Sequence, residues 1–229
     1  VHEKLRLGPT DRKALTEDVE TITWRYALKP DRLPIAPVRH GDLDFLEVDV
    51  IQVDVRNTRR GGLVFELLHR AIPYPLILAG STDEGFAFSL SEKRRSEVDE
   101  NVAVIERTFV SGWLSWTDRS RLEEAFLDSL AFDSIRADDF RQLYSAYVQR
   151  IVSLRVARRT SRFDVNGRLS IAEAARLLDD VDRLDIEIAA ERRKLSEETH
   201  FNRKVEMSSR IKSLETKRRV TLKGLETEN

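Results

Sequence analysis

Apolar residues recur at two periods along the first half of the chain. Ile22, Trp24, Tyr26 and Leu28 alternate with polar neighbours, which predicts a half-buried strand over 22–28. Residues 45–55 carry the strongest strand pattern. Their apolar phase changes midway: Leu46, Val48 and Val50 share one face, while Ile51, Val53 and Val55 share the other. Either a bulge restores one buried face, or the strand is buried on both. Before these strands, Thr10 is placed to cap a helix over 10–21, with Leu15 and Val19 turned to one side. Pro30, Pro34, Pro37 and Gly41 mark 29–44 as a loop. Residues 57–62 read as a turn and 63–71 as a short helix. Strands follow at 75–79, 85–90 and 101–110. This order predicts an α+β domain over 1–116, a mainly antiparallel sheet with two short helices.

From residue 117 to 229 the period is helical throughout. Ser120 and Glu123 have capping-box spacing, with Thr117 as a competing cap. A helix over about 137–159 puts Phe140, Tyr144, Tyr147, Ile151 and Leu154 on one face, and 161–167 breaks it. Ser170 with Glu173 then opens a terminal helical arm spanning 168–229. Its stripe runs through Val181, Leu184, Ile188 and Leu195, then through Met207, Ile211 and Leu214. Such a stripe cannot be buried against its own helix, so Leu184, Ile188, Met207, Ile211 and Leu214 are expected at a helix–helix interface. Glu198 and Asn202 interrupt it, so a coiled coil of sustained heptads is not supported. A break near 199–202 would fold the arm into a helical hairpin, packed partly on the preceding helix. Met207, Ile211 and Leu214 would then be left for a partner.

Composition narrows the possibilities. The 229 residues contain no cysteine, which excludes disulfides, thiolate nucleophiles and cysteine zinc sites. No run reaches the ~18 apolar residues of a membrane span, and no signal-peptide pattern is present, so a cytoplasmic protein without a membrane partner is expected. The net charge of −1, with 34% of residues charged, gives no global pull toward nucleic acid; only local patches can supply one. No cofactor, metal or small-molecule motif is recognisable.

Three local patterns carry candidate chemistry. Arg155, Arg158, Arg159 and Arg162 fall at i, i+3, i+4 and i+7, which is one helical face if the helix persists to Arg162. Such a face suits phosphates. The competing reading is a solvated face paired with Asp179, Asp180, Asp182 and Asp185, and it is favoured because no aromatic platform interleaves the arginines. Asp42, Asp44, Glu47, Asp49 and Asp54 lie in and before the central strand. Glu47 and Asp49 are the weak catalytic candidates, as ligands of a metal-dependent nuclease. No lysine stands two residues after the second acid, and exposed strand positions explain these carboxylates more simply. The run Arg59-Arg60-Gly61-Gly62 before a helix could meet a phosphate through backbone N–H groups, but it lacks a P-loop ending and reads as a flexible turn. His2, His40, His69 and His200 form no local pattern. Trp113, Trp116, Tyr144 and Tyr147 read as core where sheet meets helices.

The order of motifs resembles a bacterial family known as a domain of unknown function, number four-three-nine-one. The matching stretches are Ile22-Thr23-Trp24 with Tyr26-Ala27-Leu28, the segment around Glu47 and Ile51, Ala71-Ile72-Pro73-Tyr74-Pro75, Ser111-Gly112-Trp113, and Phe201-Asn202-Arg203-Lys204-Val205-Glu206. The resemblance implies genes beside DNA methyltransferases and helicases in restriction and phage-defence clusters. It implies no catalytic residues. The expectation is a non-enzymatic accessory or scaffold subunit that docks a helicase or methyltransferase, or self-associates through its arm. The alternatives are a nucleic-acid-binding module using the arginine-faced helix, and a metal-dependent nuclease.

Overall fold

The computed structural model describes residues 8–40, 43–95 and 103–226. The order of elements is α1 (Pro9–Asp18), β1 (Val19–Leu28), β2 (Val38–His40), β3 (Leu43–Phe45), β4 (Val48–Val55), α2 (Thr58–Ala71), β5 (Leu76–Ser81), β6 (Gly85–Arg95), β7 (Ala103–Val110) and β8 (Leu114–Ser115). Then come α3 (Arg121–Ser129), a 3₁₀ turn at Phe132–Ser134, α4 (Phe140–Thr160), α5 (Ile171–Glu197) and α6 (Phe201–Leu225). This is a mixed α+β chain whose strands all precede its long helices. Strands end near the composition change at Trp116, but the two compact units are Val1–Ile151 and Val152–Asn229. Helix α3 and the first half of α4 therefore belong with the sheet.

The sheet of the first unit has strand order β1-β4-β5-β6-β7, with β8 beside β6. Neighbours are antiparallel except β4 and β5, which run parallel. Parallel neighbours need a crossover, and α2 supplies it. Ile51, Val53 and Val55 alternate onto the face that α2 covers. There they meet Val64, Phe65, Leu67 and Leu68 of α2 and Ala14 and Leu15 of α1. Each fully buried side chain of this size contributes ~1.5–3 kcal/mol. Helix α2 begins at Thr58, not at Leu63: Asn57 adopts extended backbone and its side chain accepts the Arg60 N–H at 3.2 Å. The expected turn is thus the first turn of the helix. Gly61 is needed there for another reason, because a Cβ would sit 2.4 Å from the Trp113 ring.

The phase change in β4 has a definite outcome. The strand pairs with β5 without a slip, from Asp49↔Leu76 to Asp54↔Ser81, and it buries Val48 on one face and Ile51 on the other. The irregularity lies in β1, where the register slips between Trp24 and Tyr26 and sets them across from Ile51 and Val50. The side chains of β1 expected to share a half-buried face are largely open: Ile22, Trp24 and Tyr26 are 37%, 53% and 64% exposed. The segment read as a loop contains the β2–β3 hairpin. The first helix starts at Pro9 with Gly8 at the cap position, so it begins ahead of Thr10.

Tyr144 acts as a wedge in the sheet. Its hydroxyl accepts the Ser91 N–H at 2.9 Å, and its own proton is shared between the carbonyls of Leu76 (3.1 Å) and Ser91 (3.0 Å). A side chain thus bridges β5 and β6 beyond their last paired residues, Leu78 and Ser89. Arg150 anchors the far end of this unit by donating to the carbonyls of Ser129 and Ser134. Of the aromatics expected in the core, Tyr144 is buried and Trp113 stacks on Phe65. Tyr147 is half-buried, and Trp116 is exposed, with its ring on Phe86 and Nε1 donating to the Thr82 carbonyl.

The second unit is helical. Both capping boxes form, Ser120 with Glu123 in the first unit and Ser170 with Glu173 here. The arm breaks between Glu197 and Phe201. Glu198 accepts the backbone N–H groups of His200 (2.9 Å) and Thr199 (2.8 Å), which hold its carboxyl down at about 2. The two long helices form a hairpin, and Leu184, Ile188 and Leu214 bury one another in its seam. Ile211 is buried too and Met207 is half-buried. Ile211 and Leu214, expected to remain for a partner, are occupied within the chain.

Candidate functional site

Antiparallel pairing of β1 with β4 sets Leu28 across from Val48, and so brings Lys29 to Glu47 at the adjoining ends. Their Nζ–Oε2 distance is 2.8 Å, and both side chains reach solvent. The Glu47 carboxylate and its Coulomb field push the lysine pKa upward. Two residues on, Asp49 shares the α2-covered face with Ile51 and is fully buried; neither carboxylate oxygen has a hydrogen-bond partner. Burial, followed by repulsion from Glu47, raises Asp49 to about 6, with Lys29 pulling the other way. Tyr74 lies near enough that its hydroxyl pKa is raised by burial and then by the charges of Asp49 and Glu47. A carboxyl near 6 is suited to proton transfer, and a carboxylate pair with a lysine is close to what metal-assisted hydrolysis needs. Among the described residues, however, no group of three or more His, Asp or Glu side chains could hold a metal ion. Sequence spacing missed Lys29 because the strand pairing, not proximity along the chain, delivers it. Asp44 lies in β3, and Asp42 falls outside the described residues.

On the opposite face, a polar ladder crosses β1, β4 and β5. Asp54 accepts hydrogen bonds from the hydroxyls of Thr21 and Ser81 and from Gln52 Nε2 at 2.7 Å. Gln52 in turn accepts from Arg25 Nε at 2.9 Å. Burial alone would raise the Asp54 pKa, but these hydrogen bonds and the Arg25 charge outweigh it and the net shift is downward. The ladder ends at an open polar cleft of ≈ 870 Å³ beside the start of α2. Two arginines in this cleft are already paired, Arg56 with Glu20 and Arg60 with Asp18.

A further polar seam lies inside the α2-covered core. His69 is buried, its Nε2 is 3.0 Å from Ser89 Oγ, and burial lowers its pKa well below the ordinary range. Lys93 is buried as well, donating to the carbonyls of Ile72 (2.6 Å) and Tyr74 (3.0 Å), and burial lowers it to about 7. No sequence signal marked His69, on α2, or Lys93, which lies past the strand read over 85–90. His200 sits at the break of the arm, with Nδ1 3.1 Å from Glu198. His2 and the side chain of His40 lie outside the described residues.

The arginine stripe is divided. Helix α4 ends at Thr160, and Ser161 at φ 62° turns the chain away, so Arg162 leaves the helical face and pairs with Asp164 instead. Arg155 bonds Asp182, and Arg159 bonds both Asp182 and Asp185. Asp185 also accepts from Arg218 of α6. Arg158 is exposed on the same helix. The phosphate-binding reading of this stripe therefore loses two of its four members to aspartates of α5.

Exposed apolar side chains lie elsewhere. β1 is an edge strand, and among the described residues no strand pairs with its outer side. On the arm, Ile186, Phe201, Val205 and Val220 are exposed. No helix among the described residues is long and apolar enough to cross a membrane.

No curated protein and no solved structure matches the chain. One family model does, over residues 1–217, which takes in the sheet, α5 and α6 as far as Lys217. The chain belongs to the family described as domain of unknown function DUF4391.

Proposed function

We propose that this protein is a non-enzymatic accessory subunit that docks a larger partner along the outer edge of β1. The observation that carries this reading is the edge itself: ten residues long, without a pairing strand among the described residues, and flanked by exposed Ile22, Trp24 and Tyr26. Proteins normally shield such edges with charge, proline or a covering element, because unpaired N–H and C=O groups accept another strand. An extended partner segment added here would satisfy those groups and cover the aromatic side chains, the usual mode of strand addition. The neighbourhood implied by the family resemblance supplies the class of partner, a helicase or DNA methyltransferase of a restriction or phage-defence cluster. The test is purification of the tagged chain at native expression level, with a Trp24→Asp/Tyr26→Thr variant beside it. A stoichiometric helicase or methyltransferase that is lost from the variant, at unchanged melting temperature, is the expected result. Its absence from the wild-type preparation overturns the reading.

A second reading rests on the 2.8 Å Lys29–Glu47 contact beside Asp49. It supplies, from just past the end of β1, the lysine that metal-dependent nuclease chemistry asks for. Incubation with plasmid DNA and Mg²⁺ or Mn²⁺, against Glu47→Ala and Lys29→Ala controls, decides it. Uncut plasmid with both ions removes this reading.

A further inference from the structure

The charges of the arm are not evenly shared. Helix α5 carries eight acidic residues against five basic ones, whereas α6 carries eight basic residues against two glutamates. The acids of α5 are partly spent on other elements: Asp182 and Asp185 hold Arg155 and Arg159 of α4, and Asp185 also holds Arg218. Of the two glutamates in α6, Glu215 is taken by Arg192. Within α6 itself the cations outnumber the carboxylates eight to two.

Their placement makes a surface of them. Lys212, Arg219 and Lys223 recur at i, i+7 and i+11, which puts them on one face, together with Phe201, Val205 and Ser208. All six are exposed, and none of the three cations has an ion pair with a described residue. The face runs ~33 Å along the helix at 1.5 Å per residue. Beside it lies a groove of ≈ 680 Å³, whose lining includes Arg192, Lys212, Arg218 and Arg219. The acids of that groove, Asp185 and Glu215, are the two already engaged by arginines.

We propose that this outer face of α6, with its adjoining groove, binds the phosphate backbone of duplex DNA. An anionic membrane is the less suitable surface. Insertion needs a continuous apolar face on the lipid side, but Ile211, Leu214 and Leu225 of α6 are buried and the face itself offers only Phe201 and Val205 at one end. A single strand is disfavoured as well, since stacking requires aromatics interleaved with the cations and none stands between Val205 and Lys223. What the face provides is a straight row of cations, donors that position a duplex backbone without reading its sequence.

The test uses the full chain and a fluorescent 24-base-pair DNA of arbitrary sequence, followed by anisotropy from 50 to 200 mM salt. Three phosphate contacts alone weaken binding ~40-fold across that range, a slope of ~2.7 in log–log form. The Lys212→Gln/Arg219→Gln/Lys223→Gln variant keeps good helix formers and should lose that slope and at least tenfold in affinity at 50 mM salt, with unchanged circular dichroism. An Arg158→Gln/Arg162→Gln variant, altering the remainder of the α4 stripe, should bind like wild type. The proposal is overturned by any of four results: no binding at 50 mM salt, undiminished binding by the α6 variant, loss confined to the α4 variant, or tighter binding to phosphatidylserine vesicles or single strands than to the duplex. The β1 substitutions leave this readout untouched, so it stands or falls separately from docking.

Discussion

Asp49 offers a direct measurement of what a buried, unpartnered carboxylate costs this fold. Its folded-state pKa is raised from 3.8 to about 6, with burial the largest cause and Glu47 the next. Between pH ~4 and ~6 the folded chain therefore holds a proton that the unfolded chain has released. Stability must fall as pH rises through that window and level off above it. The full shift corresponds to at most ~3 kcal/mol. Lys29 and the solvent reaching the Lys29–Glu47 mouth screen part of it, which brings the expected loss to ~1–2 kcal/mol. Asp49→Asn keeps the shape and removes the charge. Urea denaturation at pH 4, 5, 6 and 7 should give a wild-type curve that drops by this amount relative to the variant, so that Asp49→Asn is as stable or more stable at pH 7. Parallel curves, or a variant that is weaker at pH 7 by more than 1 kcal/mol, would show that the carboxylate is stabilised by its surroundings and refute the reasoning.

Two other substitutions test the buried polar groups. Tyr144→Phe strands the Ser91 N–H and the Leu76 carbonyl, so a loss of ~1–3 kcal/mol is expected, together with faster amide exchange at Ser91; unchanged exchange there counts against the wedge. Lys93 is lowered to about 7 by burial, so between pH 7 and 10 the unfolded chain holds the extra proton and stability should rise with pH; Lys93→Met should abolish the rise, which thermal melts across that range will show.

Where a local signal was self-sufficient, the chain could be read directly. Ser120 with Glu123 and Ser170 with Glu173 each close a capping box within four residues, and both helices start as the spacing indicates. The break before Phe201 was legible for the same reason. Misreadings arose where tertiary contacts decide. Gly61 and Gly62 imitate a turn, but Gly61 makes room for the Trp113 ring, which comes from a distant part of the chain. Alternation over Ile22 to Leu28 identifies a strand but cannot say whether anything covers it. The arginine stripe held only on condition that the helix runs to Arg162; the break read over 161–167 begins at Ser161 in a left-handed conformation, and the fourth arginine is lost from the face. Glu47 and Asp49 were visible as acids, while their lysine came from the register of a neighbouring strand.

The open edge of β1 also bears on supply. Under the docking role proposed above, a strand open to a partner would be equally ready to accept a second copy of itself, because backbone donors and acceptors do not discriminate between chains. On that proposal, chains made in excess of the partner would meet one another first, and the useful amount of this protein would be set by the scarcer component. Matched synthesis of the two, or degradation of the surplus, would then keep it from aggregating, and overproduction alone should yield larger aggregates than co-production with the partner.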